Sequence, residues 1–413
     1  MKLGAIGDDF TGSSDLGLSL SGGGMRTVQY VGVPTQSAGP DVEAGIVALK
    51  TRTLPAAEAV RLSLEAYRWL RDQGCQQILF KYCSTFDSRR DGNIGPVIEA
   101  LIEESGTQAP VIVCPAFPAT GRTIYHGHLF VGDRLLNESG MEAHPLTPMS
   151  DPDIRRWLGH QVSRPVGHLG LNDIRAGKSR DRLLAEAATG RQIVVCDAVS
   201  DDDLITLGRA AEGFDLITGG SGIAIGLPPL LVGANRTPPA WLGEAGPALV
   251  LAGSCSKMTR AQIAYHRAHN GAQRRIDVPA LIEGTETVED VLDWVLAQTG
   301  LPMVYTSDDP AEIAAIQQQF GTDRSALAVE GFFTGLARAA VDRGIARLIT
   351  AGGETSGAVV EGLGIGELRI GPLIDPGVPA LRIPDRALVL ALKSGNFGTE
   401  DFFFKAAAAL EAT

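Results

Sequence analysis

The chain lacks a CxxC pair, and its five cysteines, Cys75, Cys83, Cys114, Cys196 and Cys255, are an odd number scattered over 413 residues. Several close apolar runs, such as Val111–Cys114 and Ile193–Cys196. They read as buried thiols in a reducing compartment, which argues against a disulfide framework and against a zinc site. No apolar run approaches the roughly 20 residues that span a bilayer. The N-terminus, Met1 to Asp9, turns acidic before the hydrophobic core of a signal peptide develops. A cytoplasmic protein with no membrane partner is expected. Nor is there a Lys/Arg-dense segment to offset a formal net charge of −12 and a pI of about 5.1, so the chain carries no electrostatic footprint for nucleic acid. Small molecules are the expected partners. No repeat of fixed period and no low-complexity tract is present apart from Ala406–Ala409, which reads as helix.

What is there is alternation. Short apolar runs at Leu3–Ile6, Gly45–Leu49, Gln77–Phe80, Val111–Cys114, Val166–Leu171, Ile193–Cys196 and Leu216–Thr218 are separated by longer amphipathic stretches. That is the pattern of βα units around a largely parallel sheet whose strands are buried on both faces. It breaks at Asn235–Pro247, where three prolines and two glycines interrupt either periodicity. It resumes at Ala248–Ala252, Met303–Thr306, Leu348–Thr350 and Leu388–Leu392. With hydrophobic residues at 44% and a length beyond one ordinary core, the expectation is two α/β domains with largely parallel sheets, spanning residues 1–235 and 247–413.

Ligands in such sheets collect at the carboxyl ends of strands, so the residues that follow each strand carry most of the information. Thr350–Gly357 follows a β-branched run and leads into a helical pattern; its glycines and small hydroxyls leave N–H groups free to face an anion. Lys393–Gly398 repeats the signal before a C-terminal helix that is expected to open at Thr399, Glu400 and Asp401. Two such turns suggest a polyphosphate cradle. After Leu3–Ile6 come Asp8 and Asp9, which as a pair suggest a proton acceptor or a Mg²⁺ ligand, with helix capping the plainer role. Lys81, Arg89, Arg90 and Arg122, beside Ser84, Thr85 and Asp87, suggest a pocket for a small polyhydroxy acid, since the planar fork of arginine matches a carboxylate.

Two motifs mislead. Gly177-Lys-Ser179 ends like a P-loop, but Asn172 stands where that motif needs its first glycine. Gly362-Leu-Gly-Ile-Gly366 lacks both the spacing and the preceding strand of a dinucleotide fingerprint, which removes the main support for a dehydrogenase. An exported binding protein would need the export signal that is missing. His126 and His128, on one face of an expected extended segment, have no third ligand within reach in sequence and read as structural or substrate-contacting.

Taken in order, Gly7–Gly12, Cys83–Ser88, Cys114–Thr123, Gly253–Ser256, Ala351–Gly357 and Ser394–Gly398 resemble the motifs of the four-carbon acid sugar kinase family over nearly the whole chain. The resemblance implies an N-terminal sugar-acid domain, a C-terminal nucleotide domain and an active site between them that closes to exclude water. It implies ATP with Mg²⁺ as cofactors and phosphorylation of a terminal 4-hydroxyl, most nearly that of 3-oxo-tetronate, with threonate and erythronate as related acceptors. The nucleotide contacts it implies fall on Ser254, on Gly352, Gly353, Glu354, Thr355, Ser356 and Gly357, and on Gly395, Asn396, Phe397 and Gly398. Asp8 or Asp9 would deprotonate the hydroxyl. The metal ligands and any homo-oligomeric state stay open.

Overall fold

The computed structural model describes residues 1–412 apart from 145, 235, 270 and 307–309. The chain divides into two compact units, Met1–Pro239 and Ala240–Thr413. Asn235 and Thr413, the ends of the two expected domains, lie outside the described residues.

The first unit is built on β1 (Leu3–Gly7), β2 (Thr27–Val31), β3 (Ala44–Ala48), β4 (Gln77–Lys81) and β5 (Val111–Cys114). A short antiparallel set follows, β6 (Arg122–Tyr125), β7 (His128–Val131) and β8 (Arg134–Leu135), and then β9 (Val166–Leu169), β10 (Ile193–Cys196) and β11 (Leu216–Gly219). The order β2-β3-β1-β4-β11-β5-β10-β9 forms a parallel sheet. Every residue of β1, β3, β4, β5, β10 and β11 is buried, which is why these strands read as unbroken apolar runs. Their side chains, among them Ile6, Val47, Leu79, Ile112 and Val194, form one core with the flanking helices.

The second unit comprises β12 (Ala248–Ala252), β13 (Gln273–Arg275), β14 (Met303–Tyr305), β15 (Arg347–Ala351), β16 (Glu367–Asp375), β17 (Val378–Arg382) and β18 (Val389–Lys393), in the order β13-β14-β12-β15-β18-β17-β16. β17 runs antiparallel to both neighbours. Val250, Met303, Ile349, Ala391, Phe402 and Phe403 make its core.

Four features depart from the sequence reading. β2 carries the buried Gln29 and β13 is Gln-Arg-Arg, so neither shows an apolar run. β16 and β17 are antiparallel strands, β16 with exposed positions in mid-strand, and neither was read from the sequence. His126 and Gly127 are the tight turn of the β6–β7 hairpin, both at positive φ (51° and 73°), so the two histidines do not share one face of an extended segment. The C-terminal helix is Phe402–Ala409, not opened by Thr399.

The two units share a topology that fixes where a ligand belongs. From β1 the chain passes to β2, returns to β3 between β2 and β1, and then crosses to β4 on the other side of β1. From β12 it passes to β13, returns to β14 between them, and crosses to β15 on the other side of β12. Each unit therefore has a switch point, β1/β4 in one and β12/β15 in the other, where loops leave in opposite directions and open a crevice at the carboxyl ends of the strands.

Candidate functional site

At the β1/β4 switch point, pairing continues beyond the strands: the Asp8 N–H donates to the Lys81 carbonyl (3.0 Å) and the Thr51 N–H to the Asp8 carbonyl (2.9 Å). This sets Asp8, Arg52 and Lys81 side by side. The Asn93 side chain fixes the Arg52 loop by donating to the carbonyls of Thr51 (2.7 Å) and Leu54 (2.9 Å). Arg52 grips Asp8 with both arms, Nε to Oδ2 at 2.8 Å and Nη2 to Oδ1 at 2.9 Å. It also reaches Asp9 Oδ1 at 2.7 Å, where Lys81 Nζ meets the same carboxylate at 3.1 Å. Gly12 leaves room for this pair: a Cβ there would lie 1.7 Å from Lys81 Nζ and 2.3 Å from Asp9 Oδ1, so both side-chain ends would have to shift.

The two aspartates are driven apart electrostatically. Burial pushes the Asp8 pKa up, and the opposing pull of Arg52 and Lys81 does not cancel it. Asp9 is also raised by burial, but Lys81 and Arg52 outweigh that and hold its carboxyl well below the ordinary range. Asp8 is 4% exposed with both oxygens held by Arg52, whereas the Asp9 side chain is 25% exposed, its Oδ2 accepting from the Thr11 hydroxyl at 3.1 Å. Asp9 sits at the N-cap of the helix Phe10–Gly22, and the Gly12 N–H in the first turn helps to hold its carboxylate charged. A dication would face two cations within 4 Å of these carboxylates, so the pair does not fit a Mg²⁺ ligand set, and among the described residues no cluster of three or more His, Cys, Asp or Glu could hold a metal.

The other expected residues divide. Thr85 donates to Asp87 and contacts the Cys83 thiol; burial raises that thiol's pKa while Arg52, Asp87 and Lys81 all act on it, so the Cys83–Asp87 turn borders the cluster. In that turn the buried Phe86 stands at φ 57°, a left-handed conformation that a bulky residue keeps only when its surroundings impose it. Arg89 projects away, its side chain 61% exposed and paired with Asp91. Arg122 keeps its Nε buried without a hydrogen-bond partner. Beside it is Asp15, raised by burial, bonded to Ser221 and acted on by Lys81, Asp9 and Arg122. Arg52, Asp15 and Ser221 escaped the sequence reading. Arg52 carried a usable signal, since Lys50-Thr-Arg52 directly follows a buried strand just as Lys81 ends one.

At the β12/β15 switch point three turns meet, one each from β12, β15 and the adjacent β18. Gly352 has φ 127°, which strains any side chain, and a Cβ there would lie 3.2 Å from the Ser254 N and 3.3 Å from its Cβ. Gly395 approaches from the other side, its Cβ position 2.4 Å from Ser254 Oγ. Ser254 thus lies between the two glycine turns. Gly353, Glu354 and Thr355 open the helix Gly353–Gly362, and their N–H groups have no intrahelical acceptor. Gly353 has no atom within 4 Å of its Cβ position: the space above the turn is open. The Ser356 hydroxyl is buried and donates back to the Gly352 carbonyl (2.7 Å), so it braces the turn, with Gly357 in the helix behind it. Asn396 and Phe397 are exposed, and Thr399 is tied to Asp375 (2.8 and 2.9 Å) ahead of the helix that Gly398 was expected to adjoin.

These two crevices coincide with two family models: a sugar-binding N-terminal domain matches residues 3–227, and a nucleotide-binding C-terminal domain matches residues 249–403. The chain is 49% identical to the 3-oxo-tetronate kinase of Burkholderia multivorans over 99% of this chain and 97% of that one. It is 49% identical to the 3-oxo-tetronate kinase of Pseudomonas fluorescens over 98% and 96%. The chain belongs to the four-carbon acid sugar kinase family. Within it, the relatives are 3-oxo-tetronate kinases, and the chain is a kinase with small-molecule substrates. Two crystal structures share the fold at 42% identity: a Salmonella typhimurium LT2 protein (TM-score 0.91, 98% of each chain) and Haemophilus influenzae protein HI1011 (TM-score 0.87, 98% of this chain and 100% of that one).

One residue of this kinase stands out beneath the glycine turns. Lys393, fully buried, donates to Thr259 Oγ1 (3.1 Å) and to the carbonyls of Ser394 (3.1 Å) and Gly395 (2.9 Å), all neutral acceptors. Burial pulls its pKa from 10.5 down to about 7. Between about pH 7 and 10.5 the unfolded chain holds a proton there that the folded chain does not, so this lysine makes stability rise with pH across that window and is most costly below it. The shift corresponds to roughly 5 kcal/mol, against about 1–3 kcal/mol for carbonyls left unpaired by its removal. Lys393→Met is therefore expected to be about 2 kcal/mol more stable than the native chain at pH 6, the gap closing as pH rises and reversing by about pH 10. Urea unfolding across that range checks it; a variant uniformly less stable at every pH would contradict the account.

Proposed function

We propose that this kinase transfers the γ-phosphoryl group of ATP to the 4-hydroxyl of 3-oxo-tetronate, giving 3-oxo-tetronate 4-phosphate, with threonate and erythronate as the related acceptors. The observation that carries this reading is near-half identity to 3-oxo-tetronate kinases over essentially the whole chain. The sugar acid is assigned to residues 1–235 and the nucleotide to residues 247–413.

In this reading the open N–H groups of Gly353, Glu354 and Thr355, with Ser254 and the Gly395–Gly398 turn, receive the phosphates of ATP. ATP enters as its magnesium complex, part of the donor substrate. Arg122, whose buried Nε lacks a partner, is assigned to the acid's carboxylate, and Ser84, Thr85 and Asp87 to its hydroxyl groups. Asp9, the more accessible aspartate, orients the 4-hydroxyl and accepts its proton, while Asp8 holds Arg52 and Lys81 in place. A carboxylate with a depressed pKa serves here because a loose phosphoryl-transfer transition state needs its proton removed only late. Arg52 and Lys81 contribute fixed positive charge that costs no reorganisation at the moment of transfer. The five free cysteines support a cytoplasmic setting.

The test is coupled ADP release with 3-oxo-tetronate, threonate and erythronate. A kcat/KM at least tenfold higher for 3-oxo-tetronate is expected. Turnover on none of the three would remove the sugar-acid reading.

A further inference from the structure

Asp15 and Ser221 lie in the crevice of the first unit but take no part in the chemistry assigned above. On the helix Phe10–Gly22, Asp15 follows Gly12 by three positions, so it stands one turn further along the face that Gly12 turns to Lys81 and Asp9. Its carboxyl is bonded to Ser221 and feels the charges of Lys81, Asp9 and Arg122 together, and the residue is partly exposed. Ser221 is placed by the glycines on either side of it. A Cβ on Gly220 would lie 2.6 Å from the Pro115 carbonyl oxygen and 3.4 Å from the Ser84 Cα, and one on Gly222 would lie 2.4 Å from the Ala116 carbonyl oxygen. The turn after β11 is thereby pressed onto the segments that follow β4 and β5, on which Ser84 and Arg122 lie.

We propose that Asp15 selects the acceptor at C3, donating a hydrogen bond from its carboxylic acid O–H to the ketone oxygen of 3-oxo-tetronate while its other oxygen accepts from Ser221. The inference rests on the assignment of Arg122 to the acid's carboxylate and of Asp9 to the 4-hydroxyl. Those two assignments put C1 beside Arg122 and C4 beside Asp9 and Lys81. Asp15 is the acid acted on by all three side chains, which sets it opposite the middle carbons. Charge balance favours its neutral form: Arg52, Lys81 and Arg122 are matched in number by Asp8, Asp9 and Asp87 before the substrate brings its own carboxylate, so an ionised Asp15 would stand in excess. Burial acts in the same direction, raising the Asp15 pKa with some help from Asp9, against the opposing pull of Ser221, Lys81 and Arg122. A ketone oxygen only accepts a hydrogen bond, whereas the 3-hydroxyl of threonate or erythronate accepts and donates. Facing the neutral acid, that hydroxyl must find another acceptor for its own hydrogen in a partly desolvated site. Facing an ionised carboxylate, which only accepts, the hydroxyl pairs and the ketone is repelled.

The test is the dissociation constant of 3-oxo-tetronate and of threonate for the whole chain, measured by calorimetry from pH 5 to pH 9. Groups that touch both acids alike cancel in the ratio of the two constants. The native preference for 3-oxo-tetronate over threonate is expected to fall at least tenfold as pH rises across this range. Asp15→Asn keeps an N–H donor and an accepting oxygen but does not ionise, so its ratio is expected to stay within threefold at every pH. A native ratio that stays flat or rises with pH would overturn the proposal, and so would an Asp15→Asn ratio that follows the native course. If Asp15→Asn fails to fold, the native profile decides alone. A native chain that binds neither acid at any pH would instead refute the sugar-acid assignment of the first unit, and this inference with it.

Discussion

Asp9→Asn is expected to slow phosphoryl transfer by about 10²- to 10⁴-fold, the usual cost of a lost general base, with the KM for ATP within twofold. The substitution keeps the shape of the side chain and leaves Arg52 its bidentate hold on Asp8, so the fold should persist. Asp8→Asn should behave differently. It removes one of the two carboxylates that hold Arg52, whose guanidinium keeps Asp9 at 2.7 Å, so the weakened hydrogen bonding is expected to cost about 1–3 kcal/mol. Its main signature is thus a lowered melting temperature, with the loss of rate following from a displaced Arg52. Single-turnover rates and melting curves for both variants separate the roles. If Asp9→Asn slowed transfer less than tenfold, the base would have to be sought elsewhere, with Asp87 the next acid in the cluster.

The second large effect is at Gly353. Its Cβ position meets no atom within 4 Å, so Gly353→Val should leave stability nearly unchanged while obstructing whatever ligand approaches the turn. A loss of about a hundredfold in ADP affinity, roughly 2.7 kcal/mol, is expected, with sugar-acid affinity retained. Gly352→Val is the contrast. At φ 127° a β-branched side chain is strained, so that variant should lose about 1–3 kcal/mol of stability as well. Calorimetry with each ligand decides it. ADP affinity within twofold in Gly353→Val would mean that the turn is not where the phosphates sit.

The strands that place both crevices were legible because burial on two faces writes them as apolar runs. Val111–Cys114 and Ala248–Ala252 emerge with the bounds read from sequence. The glycine turn at Gly352–Gly357 was legible for a local reason: backbone conformation there depends on residues adjacent in the chain. Side-chain constellations are another matter. Arg52 meets Asp8 across 44 positions and Lys81 meets Asp9 across 72, contacts that exist only because β3, β1 and β4 are neighbours. The role of Gly12 is hidden likewise, since what it makes room for is an ammonium from another strand. The hairpin at His126 was misjudged because the backbone N–H groups of His126 and Gly127 are held by Asp197 (2.9 Å each), a residue that the histidine spacing could not announce.

The most direct test of the account is the proton-coupled ³¹P spectrum of the product formed from ATP and 3-oxo-tetronate. C4 of that acid is a CH₂ group, so phosphorylation at the 4-hydroxyl predicts a single phosphomonoester resonance coupled to two neighbouring protons, a triplet or a doublet of doublets. A doublet, which would place the phosphate on the secondary 2-hydroxyl, or no new phosphomonoester at all, would contradict it.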